Sequence, residues 1–254
     1  MSIKQILGRI RKADLDYNLM QEGDRIAVGV SGGKDSMLLL YCLALYRNIA
    51  KRHLDKNIEI VGIHIKMGFP NMDFEKVFDF CRKQNIEFYE FDSKIYDILK
   101  IQANEDGTLK CSICSKLKKG AVINEAIKLN CNKTAFAHHA DDAIETLFLN
   151  AIYGGRLATF APAMFLTNSK MNFIRPFVYT FEQDIKNAYN EVDIPIVKST
   201  CPMDGHTKRQ DIKELLQSIY KTYPSSKENF LLMLHNQKKL DLWVKQEDLP
   251  QNEH

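Results

Sequence analysis

The feature that most constrains the fold is a glycine-rich loop, Ser31-Gly32-Gly33-Lys34-Asp35-Ser36, which follows the short apolar run 25–30. The run predicts a strand, and the apolar residues after the loop have helical spacing. Glycines let backbone N–H groups approach an anion closely, and a helix N-terminus adds partial positive charge. Lys34 can neutralise phosphate charge, and the two serines can donate hydrogen bonds to phosphate oxygens. The loop therefore predicts a phosphate-binding site, although a plain glycine-rich turn is the alternative.

The loop matches neither of two common nucleotide-binding patterns. Asp35 follows Lys34 where the G-x-x-x-x-G-K-[ST] loop needs serine or threonine, and the glycines lack G-x-G-x-x-G spacing. If the loop binds phosphate, its pattern therefore differs from both of these.

Strands alternate with helices along the rest of the chain, which predicts an α/β fold with a parallel sheet covered by helices on both faces. The predicted strands are 25–30, 58–65, 87–91 and 134–137. The predicted helices are 1–22, 74–83, 116–129 and 143–153, followed by an irregular or extended region at 160–175 and helical stretches from 181 and from 211. We expect an N-terminal helix at 1–22, an α/β domain at 23–205 and a helical C-terminal appendage at 206–254.

The net charge and the hydropathy of the chain exclude few classes of function. The formal net charge of +3 permits a nucleic-acid partner without requiring one. No apolar run approaches the roughly 20 residues that span a bilayer, and the N-terminus begins no signal-like apolar segment. We expect a cytoplasmic protein without a membrane partner, in which cysteines serve as buried thiols, metal ligands or catalytic groups.

Cys111 and Cys114 form a C-x-x-C pair at the start of a basic helix. Two thiolates at this spacing can reach one metal centre, but the pair also fits a redox site or half of a zinc site. Cys201 lies in a loop flanked by proline and glycine, so it is the third candidate ligand of an iron–sulfur cluster. The remaining cysteines have patterns typical of structural thiols, and they are Cys42, Cys81 and Cys131.

A second polar turn, His138-His139-Ala140-Asp141-Asp142, follows the fourth predicted strand. Parallel strands end at one edge of the sheet, so this turn is expected to share a crevice with the glycine-rich loop. Asp141 or Asp142 could hold Mg²⁺ between ATP phosphates, whereas the alternative is helix N-capping. His138 could equally be a core histidine.

Together these motifs resemble the tRNA 2-thiocytidine synthetases, a family of iron–sulfur-dependent tRNA thiolases among the PP-loop ATP pyrophosphatases. The resemblance covers residues 20–220. The matching pieces, in order, are 31–36, 111–120, 138–142, 145–150, 153–155, 174–176, Cys201 and 208–210.

The resemblance implies a Rossmann-like PP-loop domain that uses ATP and Mg²⁺ to adenylate the C2 oxygen of cytidine 32 in the tRNA anticodon loop. A hydrosulfide on the open iron of a [4Fe-4S] cluster would then displace AMP. The implied partners are tRNA and a sulfur donor, either a cysteine desulfurase or sulfide, and the family also suggests a homodimer.

The resemblance also implies roles for individual residues. The ATP-binding set is Ser31, Gly32, Gly33, Lys34, Asp35, Ser36, Ile65, His138 and Arg175. The cluster ligands are Cys111, Cys114 and Cys201, the catalytic residues are Cys111, Cys114, Asp35 and Asp141, and Asp142 is the Mg²⁺ candidate. Basic residues that flank the motifs are candidate RNA contacts or ordinary solvated surface, namely Lys110, Lys116, Lys118, Lys119, Arg156, Lys208 and Arg209.

Two alternatives stay open. The first is another PP-loop enzyme that modifies tRNA, such as a uridine thiolase, which is expected to carry extra zinc-finger cysteine pairs, or a lysidine-type ligase. The second is a metal-bearing RNA-binding module without turnover, which the intact Lys34-Asp35 pair disfavours.

Overall fold

A computed structural model of the chain describes residues 2–69, 72–105, 107–198, 200–201 and 208–236. Its strands are β1 (Arg25–Gly29), β2 (Glu59–Lys66), β3 (Glu87–Asp92), β4 (Lys133–Ala135), β5 (Ala163–Leu166) and β6 (Met171–Ile174). Its helices are α1 (Ile3–Tyr17), α2 (Lys34–His53), α3 (Glu75–Lys83), α4 (Ile95–Ile101), α5 (Cys111–Lys128), α6 (Ala140–Gly154), α7 (Glu182–Tyr189), α8 (Lys208–Thr222) and α9 (Ser226–His235).

The strands form one sheet in the order β3-β2-β1-β4-β6-β5. All neighbouring pairs are parallel except β5 and β6, which pair antiparallel at the edge. The chain runs outward from β1 through β2 to β3 on one side, and then continues on the other side from β4. The strand order therefore reverses between β1 and β4, where open α/β sheets leave a crevice beyond the carboxyl ends of their strands.

The predicted parallel sheet covered by helices is confirmed, and the differences are local. Residues 160–175, predicted to be irregular or extended, contain the hairpin β5–β6, and α4 was not predicted at all. Helix α5 begins at Cys111 rather than at Lys116, so both cysteines of the C-x-x-C pair lie in its first turns.

Alternating side chains of the strands enter two cores, one on each face of the sheet. Ile26 and Val28 of β1 pack with α1, α2 and α7 on one face. Ala27, between them, packs with α4 and α5 on the other. The N-terminal helix thus packs into the main core through Ile6 and Ile10, which are fully buried.

Helices α8 and α9 pack on α6 around the buried side chains Ile144, Ile212 and Leu216. The division into segments 1–22, 23–205 and 206–254 stays a prediction, because its second boundary and the predicted helix beyond residue 236 lie outside the described residues. Within the described part of the chain, no helix is both long and apolar enough to cross a membrane.

A buried ion pair fixes the amino ends of β1 and β4, at the edge opposite the crevice. The Lys133 Nζ lies 2.8 Å from the Asp24 Oδ2, and both side chains are almost fully buried. Lys133 also donates to the Leu19 carbonyl oxygen at 2.8 Å.

We expect Lys133→Met to lower the free energy of unfolding by about 3 kcal/mol, because it leaves a buried carboxylate without its cation. Urea unfolding measures the change. The matched control is Lys128→Met, which removes an exposed pair with Glu125 and should change the free energy by less than about 0.5 kcal/mol. Equal effects of the two substitutions would contradict the assignment.

Candidate functional site

The glycine-rich loop folds as a strand-to-helix turn that its own serines hold together. The Ser36 Oγ accepts from the Ser31 N–H at 3.1 Å and donates to the Gly33 carbonyl oxygen at 2.9 Å. Gly33 is the N-cap of α2 and has no side chain to cap the helix. The first N–H groups of α2 are therefore available to an anionic ligand, as the sequence predicts.

Gly32 is required at its position. Its φ of +88° lies in the left-handed region, and an added Cβ would meet the Val197 Cβ at 2.8 Å. The Gly32 carbonyl oxygen also accepts from the Val197 N–H at 3.0 Å, which ties the loop to the segment before Cys201. Lys34, the first residue of α2, directs its Nζ to the Asp35 Oδ1 at 3.0 Å.

The end of β2 lies beside this loop. The His64 Nδ1 is 2.8 Å from the Val30 carbonyl oxygen, and the imidazole stacks on Phe74 with ring centroids 3.7 Å apart. Ile65 points to the opposite face and is only 2% exposed, within the core that also contains Met67. Its side chain is part of the hydrophobic core, so any contact of Ile65 with ATP would use its backbone.

The polar turn after β4 begins α6 with a capping box, which is the capping role that the sequence left open. His139 is the N-cap, its Nδ1 accepts from the Asp142 N–H at 3.3 Å, and its own N–H donates to the Asp142 Oδ2 at 3.0 Å. Asp141 is nearly buried and accepts from the Glu182 N–H at 2.7 Å. Asp142 therefore has a structural role in the capping box of α6.

His138 lies among three phenylalanine rings at the carboxyl ends of β4 and β6. Its ring centroid is 5.4 Å from that of Phe160 and 6.2 Å from those of Phe136 and Phe173. The Nδ1 is buried without a hydrogen-bond partner among the described residues. Burial, with a contribution from the Arg175 charge, lowers the pKa of His138 to about 4.

We expect His138 to make the protein sensitive to acid. Because its pKa falls from 6.5 in the unfolded chain to about 4 in the fold, the unfolded state binds more protons between these pH values. The free energy of unfolding should therefore fall as the pH drops from 6.5 to 4, by an amount on the order of 3 kcal/mol. Urea unfolding across this range should show a smaller decrease for His138→Gln. The control His53→Gln, at an exposed histidine, should behave like wild type, and an unchanged slope in His138→Gln would refute the assignment.

Arg175 is buried behind the His138 side chain. Its guanidinium carbon lies 4.6 Å from the Phe160 ring centroid and 4.4 Å from that of Phe173. One terminal nitrogen donates to the Ala161 carbonyl oxygen, whereas the Nε has no partner among the described residues. Burial lowers the pKa of Arg175 to about 10. The residue is thus a buried cation without a carboxylate partner in the described chain.

The C-x-x-C pair occupies the N-terminal turns of α5. Cys111 is exposed, whereas Cys114 and Cys201 are half-buried. Burial raises the pKa of the Cys114 thiol, the Lys118 charge lowers it, and the nearby Cys201 and Cys111 raise it further. The Cys114 thiol therefore lies close enough to each of the other two predicted ligands to be influenced by it electrostatically. Cys42, Cys81 and Cys131 are buried, in agreement with their predicted structural roles.

A cavity of about 280 Å³ joins the glycine-rich loop, α5 and the end of β4. Ser31, Asp35 and Ser36 line one side, and Lys118 lines the α5 side. The residues on its wall are Gly29, Ser31, Asp35, Ser36, Ser115, Lys118, Lys119, Val122, Phe136, Ala137 and His138. The first loop and the second polar turn therefore share one crevice, as strand order predicts, but Arg175 is not on this wall.

Lys118, a candidate RNA contact or solvated surface residue from sequence, is not an ordinary surface lysine. It is half-buried, burial lowers its pKa, and the Cys114 and Cys201 thiols act against that shift. Lys118 follows Cys114 by four residues, so helical geometry puts both side chains on one face of α5. This spacing is the sequence signal that could have identified Lys118 as a neighbour of Cys114. Several of the other candidate RNA contacts are exposed, namely Lys110, Lys116, Arg156, Lys208 and Arg209.

Comparison with known proteins supports the same picture. A family model described as the PP-loop domain matches residues 4–218. A tRNA-cytidine(32) 2-sulfurtransferase of Geotalea uraniireducens is 38% identical over 234 residues, which cover 91% of this chain and 91% of the relative. A protein of the same name from Geobacter sulfurreducens is 37% identical and covers 92% and 90% of the two chains.

Among solved structures, the U34-tRNA thiolase NcsA of Methanococcus maripaludis, determined with its [4Fe-4S] cluster, has a similar fold. It aligns with a TM-score of 0.72 and 21% identity, over 94% of this chain and 80% of its own. The resemblance found in the sequence motifs is thereby confirmed. The chain belongs to the PP-loop family, within the group of the tRNA-cytidine(32) 2-sulfurtransferases.

Proposed function

We propose that the chain is an ATP-dependent tRNA sulfurtransferase that replaces the C2 oxygen of cytidine 32 with sulfur. The observation that carries the proposal is the shared crevice. Its wall combines the glycine-rich loop 31–36, which we propose as the phosphate loop, with residues of α5 that follow Cys114. The relatives named tRNA-cytidine(32) 2-sulfurtransferase support the choice of tRNA and of this base.

In the first step, the cytidine O2 attacks the α-phosphorus of ATP, pyrophosphate leaves, and the base becomes O-adenylated. Ser31, Gly32, Gly33 and Ser36 bind the phosphates through the loop and the N-terminus of α2. Lys34 neutralises phosphate charge, and Asp35 holds the Lys34 ammonium in place. His138 and Ile65 complete the proposed ATP site, at the ends of the neighbouring strands.

In the second step, a hydrosulfide attacks C2 and gives up its proton, the C2–O bond breaks, and AMP leaves with the original oxygen. Adenylation is needed because a carbonyl oxygen is a poor leaving group, whereas AMP is a good one. Lys118 supplies positive charge at the cavity wall, where negative charge develops on the leaving oxygen, and the buried Arg175, which is not on this wall, adds a longer-range contribution. The half-buried position of Cys114 and Lys118 limits access of water to the adenylated base.

The chemistry of the donors fits a [4Fe-4S] cluster held by Cys111, Cys114 and Cys201. No three histidine, cysteine or carboxylate groups of the described residues lie close enough to hold a single metal ion. A cluster spans several ångströms, so its thiolates need not converge on one point. Three cysteines leave one iron without a protein ligand. When bound, the cluster would supply the sulfur that displaces AMP.

Mg²⁺ and the partners are further parts of the proposal. Asp141 and Asp142 lie in the first turn of α6 and offer the carboxylate oxygens that Mg²⁺ prefers, with Asp141 also in a catalytic role. Both carboxylates accept hydrogen bonds from the protein, so Mg²⁺ binding would require some of these contacts to be exchanged. The hydrosulfide comes from free sulfide, or from a cysteine desulfurase whose persulfide sulfur is reduced to sulfide by a two-electron reductant, and the active form is a homodimer in the cytoplasm.

Mass spectrometry of tRNA nucleosides from a deletion strain tests the proposed function. We expect 2-thiocytidine to disappear and to return when the gene is restored. Loss of a thiouridine instead would move the activity to another base, and loss of lysidine would indicate the ligase alternative. An unchanged nucleoside profile would refute a role in tRNA thiolation.

A further inference from the structure

Glu182, the first residue of α7, binds three lysines from different parts of the chain. Its Oε1 lies 3.3 Å from the Lys34 Nζ and 3.1 Å from the Lys186 Nζ, and its Oε2 lies 2.8 Å from the Lys213 Nζ. The Glu182 side chain is 16% exposed. Burial disfavours its charged form, but hydrogen bonds from Lys213 and Lys186 outweigh this and hold the pKa of Glu182 well below its usual range. Glu182 is therefore an anion at neutral pH.

The contact with Lys34 is the one that bears on chemistry. A lysine has a flexible stem with four carbons, so its ammonium needs partners to hold it in one place. Asp35 and Glu182 hold the Lys34 Nζ between them, beside the N-terminus of α2. Protein kinases use the same arrangement, in which a glutamate on a separate helix positions the lysine that binds ATP phosphates.

Glu182 also contacts the second polar turn of the crevice. Its backbone N–H donates to the Asp141 Oδ2 at 2.7 Å. Through its side chain and its backbone, one residue thus joins the lysine of the phosphate loop to a carboxylate at the start of α6. No sequence pattern identifies this role of Glu182, because Lys34, Asp141 and Lys213 are far from it along the chain.

Basic residues of the C-terminal helices α8 and α9 form ion pairs with Glu182 and with carboxylates of α6. Lys213 of α8 binds Glu182, Lys227 of α9 binds the Asp141 Oδ1 at 2.6 Å, and Arg209 of α8 lies 3.0 Å from Glu145. Each of these cations meets a carboxylate in the first two turns of α6 or α7. Helices α8 and α9 thereby contribute positive charge to the surroundings of Glu182 and Asp141.

An ordinary capping role does not account for Glu182. Acidic residues are favoured in the first turn of any helix because of the helix dipole. In α7 that role belongs to Asp184, whose Oδ2 accepts from the Phe181 N–H at 3.3 Å and also pairs with Arg9. The Glu182 carboxylate instead points to lysines, and one of them is in the phosphate loop.

We propose that Glu182 is a positioning residue that holds Lys34 in the orientation needed to bind ATP, and that Lys213 of α8 holds Glu182 in turn. This inference rests on the proposed function only in that ATP is the ligand of the phosphate loop. It adds a residue outside every motif and gives the C-terminal helices a part in nucleotide binding.

Equilibrium titration of the full-length protein with ATP, without tRNA, tests the inference. We expect Glu182→Gln to weaken ATP binding about tenfold, because it removes a hydrogen-bonded charge. The matched control Asp184→Asn should stay within about twofold of wild type. Removing an anion near ATP favours binding electrostatically, so binding that is unchanged or tighter in Glu182→Gln would overturn the inference.

A double-substitution cycle separates positioning from a merely structural effect. If Glu182 acts through Lys34, Glu182→Gln should have no further effect on ATP binding in a Lys34→Met background. Additive losses would contradict this. If circular dichroism shows that Glu182→Gln does not fold, Lys213→Met replaces it in the test. We expect Lys213→Met to weaken ATP binding about threefold. Unchanged ATP binding in this variant would overturn the inference. A wild-type protein that does not bind ATP would overturn the proposed function together with this inference, whereas normal wild-type binding with unaffected variants overturns the inference alone.

Discussion

Replacement of Cys114 by serine is expected to abolish thiolation while ATP binding stays near the wild-type level. The thiol lies in the second turn of α5, close enough to Cys111 and to Cys201 to interact electrostatically with each of them. A serine hydroxyl does not replace a thiolate as an iron ligand. In the proposed function ATP binds through the glycine-rich loop, which lines the cavity through Ser31 and Ser36 and contains no cysteine, so this part of the site should remain intact.

The measurement pairs two readouts on anaerobically purified protein. Visible absorbance reports the iron–sulfur cluster, and mass spectrometry of tRNA nucleosides reports 2-thiocytidine. Cys111→Ser and Cys201→Ser should behave like Cys114→Ser. The control is Cys131→Ala, which removes a buried thiol just beyond the C-terminal end of α5 and should keep both signals. Thiolation by Cys114→Ser, or a wild-type protein that binds only zinc, would refute the cluster assignment.

The phosphate loop could be predicted from sequence because its chemistry is local. Its glycines, lysine and serines are consecutive, and the strand and helix that flank it have clear periodicity. The polar turn after β4 could be assigned to the same crevice because parallel strands end at one edge of a sheet. The structure confirms both elements and their shared cavity.

Other parts depend on contacts that no local pattern records. The pairing of β5 antiparallel to β6 is one of them, because four-residue strands carry too little periodicity to predict. Glu182 is another, since it meets Lys34 and Lys213 only after α7 and α8 have packed. The position of Lys118 could be predicted only in part. Its spacing from Cys114 was visible in the sequence, but its burial follows from the packing of α5 against β1, β2 and β4.

Lys118→Met is expected to reduce the rate of thiolation roughly 10²- to 10³-fold, which is the usual cost of removing one donor aimed at developing charge. The Lys118 side chain lines the cavity opposite Ser31 and Asp35. Its pKa is lowered by burial and raised by the Cys114 and Cys201 thiols, and no carboxylate of the described residues contributes to its shift. A half-buried cation without a carboxylate partner is available to the anions of the reaction.

Single-turnover assays with tRNA measure the loss, and circular dichroism checks the fold. The matched control is Lys116→Met, which removes an exposed lysine from the same helix and should change the rate by less than about threefold. Lys118→Arg keeps the charge but not the compact ammonium, so it should recover only part of the rate. If Lys118→Met keeps more than about a tenth of wild-type activity, Lys118 would be one more basic residue near the site. The large loss, in contrast, would mean that α5 carries the charge that links ATP activation to sulfur transfer.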